Sequence, residues 1–340
     1  MARRESFSVN QLLASTINGF PFPGGIGMGK AFYVAKATTA YTNYRDWLVT
    51  NGVDPNVIFA TIDAAEDATV NNRGDVVFVF PGTYTLTSKL AWDKSNTHLI
   101  GVGSEMQRTP AVTNTTGAVY LTSTTVGQTT ILEASGHYNV FANFGTKCAA
   151  AASIADITVL GRVNRFKNLY VQSGDHATQL ASVALGYAVS FPGGVAGYGN
   201  NNTFEDCHLG ESRNPTKTLG GVILFETSGG VSSCNQQNEF KRCFIQQRCD
   251  TDVDCAAVRI TTNYAVDRHL LFEACTFYNF SSTGTILTGD VFHDDCATEH
   301  RVLLTHGTCQ YGWDAWLAGG RVFNASPVAH GQGGTMLVAV

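Results

Sequence analysis

Four stretches of the chain repeat one pattern: Asn164-Arg-Phe166-Lys-Asn168-Leu-Tyr170, Asn202-Thr-Phe204-Glu-Asp-Cys207-His-Leu209, Asn238-Glu-Phe240-Lys-Arg-Cys243-Phe-Ile245 and Leu270-Leu-Phe272-Glu-Ala-Cys275-Thr-Phe277. The anchor phenylalanines lie 38, 36 and 32 positions apart (204−166, 240−204, 272−240). A strand-and-turn unit recurring at this period cannot bury its apolar side alone. It must stack on its neighbours, which makes a solenoid. On this reading Cys207, Cys243 and Cys275 form an internal column, with Asn168 in the equivalent place one unit earlier. Neighbouring coils would sit about 4.8 Å apart.

Composition agrees with a β-rich, turn-rich chain. The 340 residues include 35 glycines and 11% aromatics, and only 14% are charged, against about 25% in average soluble proteins. A net charge of −5 without a basic stripe argues against nucleic acid as a partner. No run of about 18 apolar residues offers a membrane span, and Met1-Ala-Arg3-Arg4-Glu5 leads into a mixed polar stretch unlike a secretory signal. Nine cysteines, an odd number, cannot all pair within one chain. Synthesis in a reducing cytoplasm is expected. Buried thiols are the plain reading for the column, while Cys234, Cys249, Cys255 and Cys296 are the better disulfide candidates.

Four regions follow from the pattern: an extended arm (1–30), a leading strand and capping helix (31–75), the solenoid (76–325) and a closing segment (326–340). The arm has a short helical piece near Asn10–Ala14 and ends in a Pro/Gly-rich run. Its apolar side chains Phe7, Leu12, Leu13, Phe20 and Phe22 are candidate partner-binding residues. Ile58, Ile62 and Ala65 at helical spacing predict a helix over 54–68, with Asp54 or Asn56 as N-cap. A strand at Val76–Phe80, a turn at Pro81–Tyr84 and strands at 85–90 and 97–102 complete one coil, and Ile154–Val159 reads as another rung. Glycine-rich loops project at 191–202 and 228–235.

The helix followed by Gly-Asp-Val-Val-Phe-Val-Phe-Pro-Gly-Thr-Tyr (74–84) and Leu-Ile-Gly-Val-Gly (99–103) resembles the opening of right-handed parallel β-helix proteins of the pectin-lyase-like superfamily. The Asn-x-Phe-x-x-Cys-x-Leu units resemble its coils, over roughly residues 54–310. The resemblance implies an all-β, right-handed parallel β-helix with a short N-terminal capping helix and an extended arm. An arm on a β-helix also resembles bacteriophage tailspikes, fibres and capsid-decoration proteins, many of them homotrimers. That implies a non-enzymatic virion structural protein contacting itself and capsid or tail proteins. The alternative is a tailspike depolymerase, a hydrolase or lyase acting on host surface glycan.

Sites for chemistry are sparse. Gly24-Gly-Ile-Gly-Met-Gly29-Lys30 has phosphate-loop spacing, but Pro21 and Pro23 stand where a strand belongs and Ala31 where a hydroxyl belongs, so no nucleotide cofactor is expected. Cys249-Asp250-Thr-Asp252-Val-Asp254-Cys255 alternates carboxylates as a solvated surface loop, a calcium or partner contact, or a source of acid and base. It lacks the glycine and glutamate of a calcium loop. His293-Asp294-Asp295-Cys296 with Glu299 and His300 matches no zinc spacing and reads as an acidic turn, so no metal is expected. Under the depolymerase alternative the catalytic pool is Asp250, Asp252, Asp254, Asp290, Asp294 and Asp295. Tyr278, Tyr311, Trp313 and Trp316 suit either sugar stacking or a subunit interface.

Overall fold

The computed structural model describes residues 29–36, 44–103, 118–172, 176–182, 184–210, 217–226, 234–261, 265–280, 290–294, 302–306, 309–313 and 334–338. The arm lies outside them except for Gly29 and Lys30. Phe7, Leu12, Leu13, Phe20 and Phe22 are therefore outside too, as are Cys296, Trp316 and Asp295. Among the described residues no helix is long and apolar enough to cross a membrane.

Short strands follow one another around a right-handed parallel β-helix, each pairing with its counterpart one turn later rather than with its sequence neighbour. Coil 1 comprises Asp75–Val79, Gly82–Thr85 and Leu90–Trp92. Coil 2 comprises Thr97–Gly101, Val119–Ser123 and Leu132–Ala134, and coil 3 comprises Val140–Ala142, Gly145–Cys148 and Ala155–Val159. Coil 4 has Arg165–Lys167, Tyr170–Val171 and Tyr187–Phe191, and coil 5 has Thr203–Glu205, His208–Leu209 and Lys217–Phe225. Coil 6 has Asn238–Lys241 and a 17-residue strand, Phe244–Ile260. Coil 7 has His269–Glu273, Thr276–Phe280 and Asp290–Asp294, and coil 8 has Val302–His306 and Gln310–Trp313.

The first strand of every coil belongs to sheet A, the second to sheet B and the third to sheet C. The long strand of coil 6 runs through both B and C and fuses them. Sheet A begins with Ile58–Phe59 and Ala31–Val34, parallel to coil 1. It ends with Gly334–Val338, which lies antiparallel on Val302–His306.

The interior is a set of stacked columns. Phe141, Phe166, Phe204, Phe240 and Phe272 lie ring on ring, with centroids 5.0, 4.3, 5.1 and 4.9 Å apart and planes within 15° of parallel. Truncating such a buried ring costs about 3–5 kcal/mol. Beside them runs an asparagine column. The N–H of Thr97 donates to Asn139 Oδ1, Asn139 to Asn164, Asn164 to Asn202 and Asn202 to Asn238, over 2.8–2.9 Å. These side chains thus satisfy buried backbone donors that would otherwise be costly. Asn139-Val-Phe141 is a rung of the repeat that the sequence pattern alone did not reveal.

The cysteine column is confirmed and extended: Cys207, Cys243, Cys275 and Cys309 are free and buried. Each Sγ donates to the carbonyl of the phenylalanine one coil earlier, at Phe166, Phe204, Phe240 and Phe272, over 3.2–3.5 Å. The register of Tyr170 with His208 places Leu169, not Asn168, opposite Cys207. Asn168 instead occupies the A-to-B corner, where Asn143, Asn168, Asp206, Arg242 and Ala274 all take φ between 51° and 61°. One left-handed residue per coil turns the chain there, which is why asparagine and aspartate recur.

A second ladder closes the C-to-A corner. Asn71 Oδ1 accepts from Ser95 N–H, Ser95 Oγ from His137 N–H, His137 Nδ1 from Arg162 N–H and Asn200 Oδ1 from Gln236 N–H, over 2.7–3.1 Å. The residue after each of these positions is left-handed: Asn72, Asn96, Tyr138, Val163, Asn201 and Gln237.

The predicted helix over 54–68 is shorter than expected. Asp54 caps a 3-10 turn at Pro55–Val57, Ile58–Phe59 is strand, and helix α2 spans Ile62–Ala68 behind its N-cap Thr61. Helical spacing at Ile58 gave way to pairing with Tyr33. α2 buries Ile62 and Ala65 in the core that also holds Val77, Val79 and Trp92, closing the first coil. Helix α1, Tyr44–Thr50, lays Leu48 on the outer side of sheet A against Phe78, Phe80 and Ile100. The expected turn at 81–84 is mostly strand, Gly82–Thr85. Asp75, fully buried, ties this end together: its carboxylate accepts from the N–H groups of Lys30 and Val70 (both 2.7 Å) and from Arg73 (2.6 Å twice).

Candidate functional site

With the core consumed by packing, chemistry is left to the outer faces. On sheet B an outward residue alternates with the inward columns: Tyr170 between Leu169 and Val171, His208 between Cys207 and Leu209, Phe244 between Cys243 and Ile245. Register makes them direct neighbours. Tyr170 and His208 meet edge to face at 4.7 Å, His208 and Phe244 at 5.0 Å, and Phe244 reaches Tyr278 at 6.2 Å. Tyr120 continues the strip toward coil 2, its ring lying over Gly145, where a Cβ would meet it at 2.4 Å. His208 Nε2 bonds Gln246 Oε1 at 3.1 Å; the amide oxygen can only accept, so Nε2 carries the proton. Lys147 and Gln172 occupy the adjoining positions in coils 3 and 4. Tyr278 is 38% exposed at the end of the strip. Tyr170, Gln172 and Gln246 are buried, so stacking on a flat apolar surface falls to half-buried His208 and Phe244 and to exposed Tyr278.

The candidate carboxylates fall elsewhere. Asp250, Asp252 and Asp254 lie within the long strand of coil 6, not in a loop: Cys249 pairs with Lys217 and Asp254 with Leu219, across a shift in the ladder. Pairing with coil 5 at Cys249 and Asp254, on either side of that shift, keeps the polar segment in the strand. Asp290 stands opposite Ala256 and Asp294 opposite Ile260 in coil 7. The fold thus brings Asp290 and Asp294 beside the far end of the strand that carries the other three. Between them Arg259, buried at 6% exposure, stands opposite His293. In the sequence, only the alternation of Arg259 with Val258 and Ile260 marks this position. Among the described residues no three His, Cys, Asp or Glu side chains gather into a metal-sized cluster.

The outer face of sheet A is occupied by reciprocal ion pairs. Glu205 bonds Arg165 and Arg242 and lies 4.0 Å from Lys167; Lys241 lies 2.8 Å from Glu239 and 3.8 Å from Glu273; Arg242 also bonds Asp206 at 2.7 Å. Burial raises the Glu205 pKa, but hydrogen bonds from Arg165 and Arg242 outweigh it and hold the carboxyl below its ordinary value. Glu226, by contrast, is pushed up by burial. The thiols of Cys243 and Cys275 are held far above the ordinary range, Cys243 chiefly by burial and Cys275 chiefly by its hydrogen bond with Cys243. Neither is a nucleophile.

No protein-family model matches the chain, and no curated protein matches it. Among solved structures it is similar to ORF18 of Geobacillus virus E2, with 14% identity over 74% of this chain and 57% of that one, at a TM-score of 0.35. It is similar to a rhamnogalacturonan lyase, with 13% identity over 78% and 73% of the two chains, at 0.40. A pectin methylesterase from Erwinia chrysanthemi gives 12% identity, 75% and 81%, and 0.36. The chain therefore spans little more than half the length of the viral protein. These likenesses assign no residue a role.

Proposed function

We propose that this chain is a non-enzymatic bacteriophage virion structural protein, a capsid-surface decoration or spike- or fibre-like component held to the particle by residues 1–30. The supporting observation is how fully the body is committed to shape. Identical side chains stack through coils 3 to 7, and the charges on sheet A mostly neutralise one another. A rod of this kind projects without bending, and side-by-side association as a homotrimer suits its elongated form. Phe7, Leu12, Leu13, Phe20 and Phe22 would be the anchoring contacts. Deleting residues 1–28, which spares the bonds of Gly29 and Lys30 to Gly74, Asp75 and Val76, tests this: the folded solenoid should persist by circular dichroism but fail to join the particle. Unchanged incorporation rejects the anchoring role.

A second reading is favoured by the ring-and-amide strip and by Arg259 and His293 beside Asp290 and Asp294: recognition or depolymerisation of host surface polysaccharide. Elimination would need a base with a neutralising cation, and hydrolysis two carboxyls about 5–10 Å apart. Incubating the isolated chain with purified capsular or lipopolysaccharide separates the two readings. Shortened glycan would replace the structural reading.

A further inference from the structure

Two histidines join neighbouring coils by accepting backbone hydrogen bonds. His98, in sheet A of coil 2 and only 3% exposed, accepts the N–H of Val140 in coil 3 through Nδ1 at 3.1 Å. His137, at the corner leading into coil 3, accepts the N–H of Arg162 at the next corner through Nδ1, also at 3.1 Å. An Nδ1 that accepts must be unprotonated, so both imidazoles are held neutral with the proton on Nε2. Adding a proton to Nδ1 would set N–H against N–H and remove the acceptor from a backbone donor.

Equivalent corner positions hold acceptors that do not titrate. Asn71, Ser95 and Asn200 take the next coil's N–H there, and the asparagine column, running the other way, accepts the preceding coil's N–H at coils 3 to 6. Only the joints from coil 2 to 3 and from coil 3 to 4 use imidazole among these ladders.

We propose that His98 and His137 form an acid-released clasp, so that mild acidification loosens coils 2 to 4 while coils 5 to 7 stay closed. The charges facing the clasp set its direction. Asp75, on the preceding coil, favours a cation at His98, but its carboxylate is already engaged by Arg73, and burial dominates, lowering the pKa to about 4. His137 is lowered by burial and then by Arg162, against the Gly136 backbone. Both folded pKa values lie below the ordinary 6.5. The neutral-state stabilisation is therefore complete above 6.5 and is lost as pH falls toward the folded values.

Hydrogen exchange on the full chain, read by mass spectrometry at pH 7 and pH 4.5 and corrected for intrinsic rates, tests this. Segments 138–144 and 160–167 should exchange at least tenfold faster at the lower pH, while 238–245 and 269–277 change little. His137→Asn supplies the acceptor type found at Asn71 and Asn200. It should restore protection of 160–167 at pH 4.5 and leave 138–144 acid-sensitive. Equal loosening of all four segments, or none, overturns the proposal. So does an unchanged response of 160–167 in His137→Asn. Should that variant not fold, the contrast between early and late coils in the natural chain still decides.

Discussion

Asn202 is the sharpest place to perturb the internal ladder. It is wholly buried. Its Oδ1 accepts from Asn164 N–H at 2.9 Å, and its Nδ2 donates to the Gly161 carbonyl at 3.1 Å and to Asn238 Oδ1 at 3.2 Å. Asn202→Ala strands the Asn164 donor and the Gly161 acceptor in the interior, at about 1–3 kcal/mol each, so the expected loss is about 2–6 kcal/mol. Unfolding entropy near 2.1 cal/mol/K per residue, over 340 residues, is roughly 0.7 kcal/mol/K, which converts that loss into a fall in Tm of about 3–8 °C. A melting unit smaller than the whole solenoid would give a larger shift. Urea titration followed by circular dichroism measures the loss, with the adjacent half-exposed Thr203→Ala as control. A loss below about 0.5 kcal/mol, or one no greater than the control's, refutes the view that the column's hydrogen bonds hold the coils together.

Asp75→Asn should destabilise the chain at pH 7. Burial raises the Asp75 pKa, but hydrogen bonds from Arg73, Val70 and Lys30 lower it on balance below 3.8. Its stabilisation is thus present above the unfolded value and lost as pH falls through the folded one, so melts at pH 7 and pH 3 should show the variant's deficit shrinking in acid. Val163 holds φ at 58°, which costs a β-branched residue about 1–2 kcal/mol; Val163→Asn should gain roughly 1 kcal/mol in urea titration, and a loss would mean its packing outweighs the strain. Alkylation of the native chain at pH 8 should leave Cys243 and Cys275 untouched until denaturant is added, as judged by peptide mass mapping; labelling at the rate of a free thiol would contradict the buried column.

The columns were legible because stacking demands the same residue at the same place in each coil. Phe166, Phe204, Phe240 and Phe272 announce themselves for that reason. Phe141 escaped notice because Phe144, not cysteine, follows it at the inward position, opposite Leu169. Asn168 differs from the column by one position: it sits at the A-to-B corner, where its left-handed backbone suits asparagine, while Leu169 faces Cys207. Polar sequence is least informative around Asp250–Asp254, which stays within one long strand held to coil 5 at Cys249 and Asp254 whatever its side chains prefer. Arg259 opposite His293, and His137 beneath Arg162, arise from neighbours about one coil apart in sequence. No local pattern announces such pairs, since each depends on how many residues every intervening loop contains.

The charges outside sheet A solve a problem that the uniform interior creates. A stack of near-identical coils is almost indifferent to sliding by one unit, because phenylalanine meets phenylalanine and thiol meets thiol in either alignment. Lys167, Glu205, Lys241 and Glu273 stand in register on successive coils, so their sign alternates along the axis. Between coils, correct neighbours attract; displaced by one coil, cation would face cation and anion face anion. These exposed pairs contribute little to stability one by one. Their larger effect is to make the misaligned solenoid the costlier structure while the chain is still winding.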